Sequence, residues 1–139
     1  MTRRSLLLEY VARTAFWIML GASVWILLRG HNAPGGGFIA GLIAVAASAL
    51  LAIVYGIDKA RSRMPLSPLS LAVTGVLLSL LSGVPGAFGN GAFLTHLWWS
   101  LGPVKLSTVL LFDLGVYAAV WGAFTSYLFA LLDDGETAS

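Results

Sequence analysis

The sequence predicts an all-α integral membrane protein with four transmembrane helices, both termini in the cytoplasm, and a re-entrant or interfacial segment between the third and fourth helices. Composition, run length and the placement of charge carry this expectation. Of 139 residues, 58% are apolar and only 10% charged, whereas about a quarter of an ordinary soluble domain is charged. The mean hydropathy is +0.89, and the apolar residues gather in runs that approach the ~20 residues a helix needs to cross a bilayer. Lys and Arg fall mostly on alternate connections, the bias that orients membrane proteins with basic segments inside. The chain is therefore expected to form a single transmembrane domain over 1–139, with spans at about 8–28, 37–57, 68–84 and 106–132.

The first span follows Arg3 and Arg4. Basic residues before an apolar run resemble a cleaved leader, but Glu9, Arg13 and the lack of a small-residue cleavage site argue against one. Glu9 and Arg13 are spaced i, i+4 with the acid first, the favourable order for a helical ion pair. These first turns are expected at the interface, where Arg13 can snorkel.

The second span follows Pro34, Gly35, Gly36 and Gly37 and stays uncharged from Phe38 to Ile57. Gly37 and Gly41 form a GxxxG pair, which Ala44, Ser48 and Ala52 extend into a stripe of small residues. Such stripes let helix backbones approach closely in lipid. The next loop carries Lys59, Arg61 and Arg63, and Ser67 before Pro68 reads as an N-cap with proline at the first helical position. The third helix is expected to end near Val84, where Pro85, Gly86, Gly89, Asn90 and Gly91 break regular structure. Trp98 and Trp99 suit the membrane interface, and the fourth span ends at Asp133, Asp134 and Glu136. Four spans gather Arg3, Arg4, Arg13, Lys59, Arg61 and Arg63 on one side, against Arg29 and Lys105 opposite. That asymmetry puts both termini in the cytoplasm.

The chain has no cysteine, so disulfides and thiolate metal sites are excluded. The glycine run is neither a dinucleotide fingerprint nor a Walker loop. No Ser-His-Asp set, acid pair or metal-ligand cluster is evident, so an enzyme would lack its parts. No cofactor or metal is expected, and His96 is read as an interface anchor.

Asp113 is the one carboxylate well inside an apolar span. An ionised aspartate at mid-membrane costs about 2.5 to 3.5 kcal/mol, so it should face protein or water, be paired, or be protonated. It is either a proton or cation relay or a hydrogen-bonded group docking one helix on another. Tyr117 follows one turn later, while Gly115, Ala119, Gly122 and Ser126 form a small-residue stripe on a different face. Both faces want protein neighbours, so one is expected to meet another subunit. Lys105 lies ~12 Å along the axis from Asp113, too far for a helical pair, and either snorkels or acts as a movable charge. His31 can exchange protons near neutral pH. In the favoured alternative, Asn32 and Pro34 make a tight turn while the glycines let the second helix dock closely.

The stretch RGHNAPGGGFIAGLIAVAA after the first helix, taken with LLFDLGVYAAVWG in the fourth, resembles the MnhB family, the B subunits of Mrp-type multisubunit cation/proton antiporters. The matched positions are His31, Asn32, Pro34, Gly35, Gly36, Gly37 and Phe38, then Asp113, Gly115, Val116 and Tyr117. The resemblance covers nearly the whole chain. It implies an accessory subunit of the bacterial plasma membrane, assembled with the large subunits A and D and the smaller C, E, F and G. The implied complex exchanges cytoplasmic Na⁺ for external H⁺, with this chain needed for assembly and Asp113 available to an ion path where subunits meet. It also implies a close relative fused to the C-terminal end of some A subunits. The alternative is a self-contained homo-oligomeric cation channel or exporter built through the GxxxG face.

Overall fold

A computed structural model of the chain describes residues 3–30, 36–90, 92–93, 98–101 and 104–138. In order these form α1 (Arg3–Arg29), α2 (Gly37–Tyr55), α3 (Ile57–Ser62), α4 (Pro68–Leu81), α5 (Val84–Asn90), β1 (Trp98–Leu101), β2 (Val104–Ser107) and α6 (Thr108–Ala138). Among the described residues four stretches are long and apolar enough to cross a membrane: Ser5–Arg29, Gly37–Tyr55, Pro68–Gly89 and Thr108–Gly135. Ile18, Ile53, Leu77 and Tyr127, one on each, are all more than half exposed. Lipid can cover such apolar surface while the backbone bonds itself within each helix.

The local signals act where the chain changes direction. Ser67 caps α4 by accepting a hydrogen bond from the Ser70 amide at 3.3 Å, and Pro68 follows at the first helical position, where its missing N–H is not needed. Gly56, at φ +92°, separates α2 from α3, and Gly36, at φ +109°, precedes α2. Both backbones lie in the region that favours glycine.

The third span departs from expectation. α4 stops at Leu81, and after a turn at Ser82 and Gly83 the chain is helical again through Pro85, Gly86 and Gly89. Pro85 is the second residue of α5, inside the first turn, where no intrahelical partner waits for its amide. The fourth helix starts at Thr108 because the preceding residues are committed to a strand pair, Trp98↔Ser107 through Leu101↔Val104. The connection expected to be re-entrant or interfacial thus contains, among the described residues, a short helix and an antiparallel strand pair.

The spans pack in the order α4–α6–α2–α1. α6 runs along both α4 and α2, α2 also runs along α1, and α1 touches α6 only slightly. The buried centre is built from small residues and a few large rings: Ala40, Ala44 and Ala47 of α2, Phe16 of α1, and Tyr117, Trp121 and Phe129 of α6. Close backbone approach, more than interdigitated bulk, is what holds this row in lipid.

Candidate functional site

α6 holds the central position, and its two inward faces are filled differently. Toward α4 it presents Gly115, Ala119 and Gly122. A Cβ on Gly115 would lie 2.6 Å from the Ser79 amide nitrogen and 2.8 Å from the Gly75 carbonyl oxygen, and one on Gly75 would lie 2.6 Å from the Gly115 carbonyl. The approach is reciprocal and backbone to backbone, so only glycine fits. The α4 side of this seam, Ala72, Gly75 and Ser79, went unremarked in the sequence, although its i, i+3, i+7 spacing carries the same signal as the stripe on α6.

Toward α2, α6 presents Asp113, Tyr117 and Trp121, each one turn after the last. Gly37 lies directly against the Asp113 carbonyl, and a Cβ on Gly41 would sit 2.8 Å from the Val120 Cβ and 3.1 Å from the Tyr117 carbonyl. The two motifs singled out separately in the sequence therefore meet at one junction, where the glycines of α2 seat on the first turns of α6. Both faces of α6 are occupied within the chain. Neither small-residue seam therefore needs another subunit to cover it, as was expected of one face, whereas the half-buried Asp113 is left partly open at the start of its face.

The polar tips on this face are tied down. The Tyr117 hydroxyl and Ser23 Oγ of α1 are 3.0 Å apart and buried. Ser23 Oγ donates its own proton to the Leu20 carbonyl at 2.7 Å, so Tyr117 is the donor between the two. Trp121 Nε1 donates to Ser48 Oγ of α2 at 2.9 Å, and Ser48 Oγ donates to the Ala44 carbonyl at 3.0 Å. Each chain of bonds ends on a backbone carbonyl, which cannot pass a proton on. These bonds fasten α6 to α1 and α2. Ser23, Trp121 and Thr125 were not picked out as site residues, although a buried Tyr or Trp usually finds a polar partner. Thr125 continues the row one turn past Trp121, and its Oγ1 is buried without a hydrogen-bond partner among the described residues.

Asp113 itself is half-buried, unlike the buried Tyr117. It lies five residues into α6, ~8 Å along the axis, nearer the end of the span than its middle. A cleft of about 680 Å³ at the other end of α6 carries Asp58, Arg61 and Asp133, but Asp133 is ~30 Å along the axis from Asp113. Lys105 is in β2, paired with Ser100. Phe38 is 54% exposed on the outer side of α2, while Gly36 and Gly37 are buried. His31, Asn32, Pro34, Gly35 and His96 lie outside the described residues.

Comparison with known proteins places this geometry. Residues 7–126 match the family model described as a domain related to the MnhB subunit of Na⁺/H⁺ antiporter. The chain is 42% identical over 123 residues to the B subunit of the Na⁺/H⁺ antiporter of Bacillus subtilis, covering 84% of this chain and 85% of that protein. It is 30% identical over 133 residues to the B subunit of the Na⁺/H⁺ antiporter of Alkalihalophilus pseudofirmus, covering 92% of each. Among solved structures it is similar to the Mrp complex from Dietzia sp. DQ12-45-1b, with a TM-score of 0.80 and 36% identity over 92% of this chain. It spans 14% of that much longer chain.

Proposed function

The chain belongs to the MnhB family, and on that premise we propose that it is the accessory B subunit of a multisubunit Na⁺/H⁺ antiporter, a multi-pass protein of the bacterial plasma membrane that works only with the other Mrp subunits, A, C, D, E, F and G. The observation that carries this is the likeness, at TM-score 0.80, to a segment making up 14% of a far longer chain in an Mrp complex. A module of that kind is a part of a larger membrane assembly, and transport is the work of the whole. No catalytic activity of its own is assigned to the chain. The self-contained channel loses its main support, because a homo-oligomer built through GxxxG needs that face free, and Gly37 and Gly41 are spent on α6. Purification of the tagged chain from native membranes in mild detergent is expected to bring the other antiporter subunits down in fixed ratio. Recovery of this chain alone, migrating at its own mass, would sink the assignment.

Within the complex the row on α6 divides its labour. Tyr117 and Trp121 dock helices, since their bonds terminate on carbonyls. Asp113, half-buried where the two motifs meet, is the group we assign to an ion path where this chain meets a neighbour in the complex. We place both termini in the cytoplasm, because Arg3, Arg4, Arg13, Lys59, Arg61 and Arg63 share a side with them and only Arg29 and Lys105 lie opposite. The chain has no cysteine, so Ser139→Cys provides a single label. A membrane-impermeant maleimide should miss it in intact cells and reach it in inverted vesicles; labelling in intact cells would reverse the topology.

A further inference from the structure

Three basic side chains from three elements converge where α2 ends. Arg13 of α1, Lys59 of α3 and Arg63 of the turn after α3 line one narrow cleft together with Trp17 and Tyr55. The Arg63 guanidinium lies over the Trp17 ring, 5.9 Å from its centroid, within range of a cation–π contact that holds it in place. The Tyr55 hydroxyl donates to the Glu9 carbonyl, which fixes the level of α1 against the end of α2. Glu9 is therefore held beside the last turn of α2, and Arg13, one turn further along α1, lines the cleft with Leu51 and Tyr55.

Like charges do not gather without cause. The ion pair expected between Glu9 and Arg13 is not made, and among the described residues none of Arg13, Lys59 and Arg63 forms an ion pair. An interfacial Trp and Tyr flank the three cations, and exposed apolar side chains, Trp17 at 52% and Ile18 at 66%, continue along α1 below them. The cleft these residues line holds only about 10 Å³, so an anion bound by them would sit across its mouth and not inside it. An anion with an apolar body fits both the charge above and the apolar surface beneath. We propose that Arg13, Lys59 and Arg63 form a headgroup site for an anionic phospholipid, its phosphodiester across the cleft and its acyl chains along the exposed face of α1. This rests on the span geometry and not on the antiporter assignment.

Native mass spectrometry of the full chain, released from nanodiscs of mixed phosphatidylglycerol and phosphatidylcholine, tests the site. Phosphatidylglycerol is expected to be retained preferentially. Each basic residue near a membrane surface contributes about a fivefold preference, so Arg13→Gln, Lys59→Gln and Arg63→Gln together should reduce it on the order of 100-fold. Arg63→Lys keeps the charge and should keep most of the preference. If the triple variant does not fold, the three single variants give a graded loss that answers the same question. Equal retention of the two lipids by the native chain, or an unchanged preference in the variants, overturns the proposal. Displacement of the lipid by millimolar inorganic phosphate would mark a free-anion site and overturn it as well. A purified complex in which the chain keeps no phosphatidylglycerol would assign the cluster to an acidic partner segment instead.

Discussion

Gly75→Leu, Gly115→Leu and Gly122→Leu are each expected to remove most of the folded chain from the membrane. A Cβ alone at these positions falls 2.6 Å from the Gly115 carbonyl, 2.6 Å from the Ser79 amide and 2.5 Å from the Pro68 carbonyl, respectively. Carbon needs about 3.5 Å or more from such neighbours, so the helices must part by ~1 Å before the rest of the side chain is placed. The obstructing atoms are backbone and cannot rotate away. Overpacking costs typically 1 to 3 kcal/mol even where a core can adjust. Here the consequence is larger, because among the described residues α4 makes its substantial contacts with α6 alone. Lipid offers no hydrophobic force to restore a lost helix contact, so a parted seam releases α4. Gly21→Ala is the control, since nothing lies within 4 Å of its added Cβ. Monodisperse recovery in mild detergent reads the effect, and recovery of all three leucine variants at the level of Gly21→Ala would show that the α4–α6 seam does not hold the fold.

These seams also mark how much of the molecule was legible in its residues. Apolar run length marked the four long apolar helices, and Ser67 with Pro68 marked the start of α4, because both signals are local. The stripe Gly115, Ala119, Gly122 announced a close approach but could not name the neighbour. Small residues look the same whether they receive a helix of the same chain or of another, and for that reason a second subunit was expected where α4 and α2 in fact sit. Pro85 and the glycines after it looked like a helix end. Proline in a first turn loses nothing, and α5 forms around it. The strand pair was hidden because Trp98 and Trp99 read equally well as interfacial anchors.

The site was legible in part for a related reason. Asp113 and Tyr117 stood out as polar groups in an apolar span, and the glycines around Gly37 as a run without a fold-level motif, but their contact is long-range and leaves no periodicity to read. Ser23 and Ser48 were invisible as partners, since a serine in a membrane helix can satisfy itself on a carbonyl three or four residues back. Both do so. They accept the bonds of Tyr117 and Trp121 in addition, and both chains of bonds end on backbone carbonyls.

Membranes lacking this chain are expected to show Na⁺/H⁺ exchange at background, and a series of restored variants then separates assembly from transport. Restoration with Tyr117→Phe should return both. The variant loses one buried hydrogen bond, worth about 0.6 kcal/mol on average within membranes, and Ser23 keeps its bond to the Leu20 carbonyl. Asp113→Asn should return assembly but leave exchange at background. The amide preserves the shape and much of the hydrogen-bonding capacity of the carboxyl and removes only its charge and its proton. An ion path that uses this position cannot tolerate that change. Vesicle acidification assays on one set of membranes, with the subunits of the complex quantified in parallel, read both outcomes. Exchange retained by Asp113→Asn would take the ion path away from this residue, and assembly lost along with exchange would return Asp113 to the docking row beside Tyr117. Undiminished exchange in the deletion itself would end the assignment to the antiporter, because a module that contributes only within a complex must be missed when it is absent.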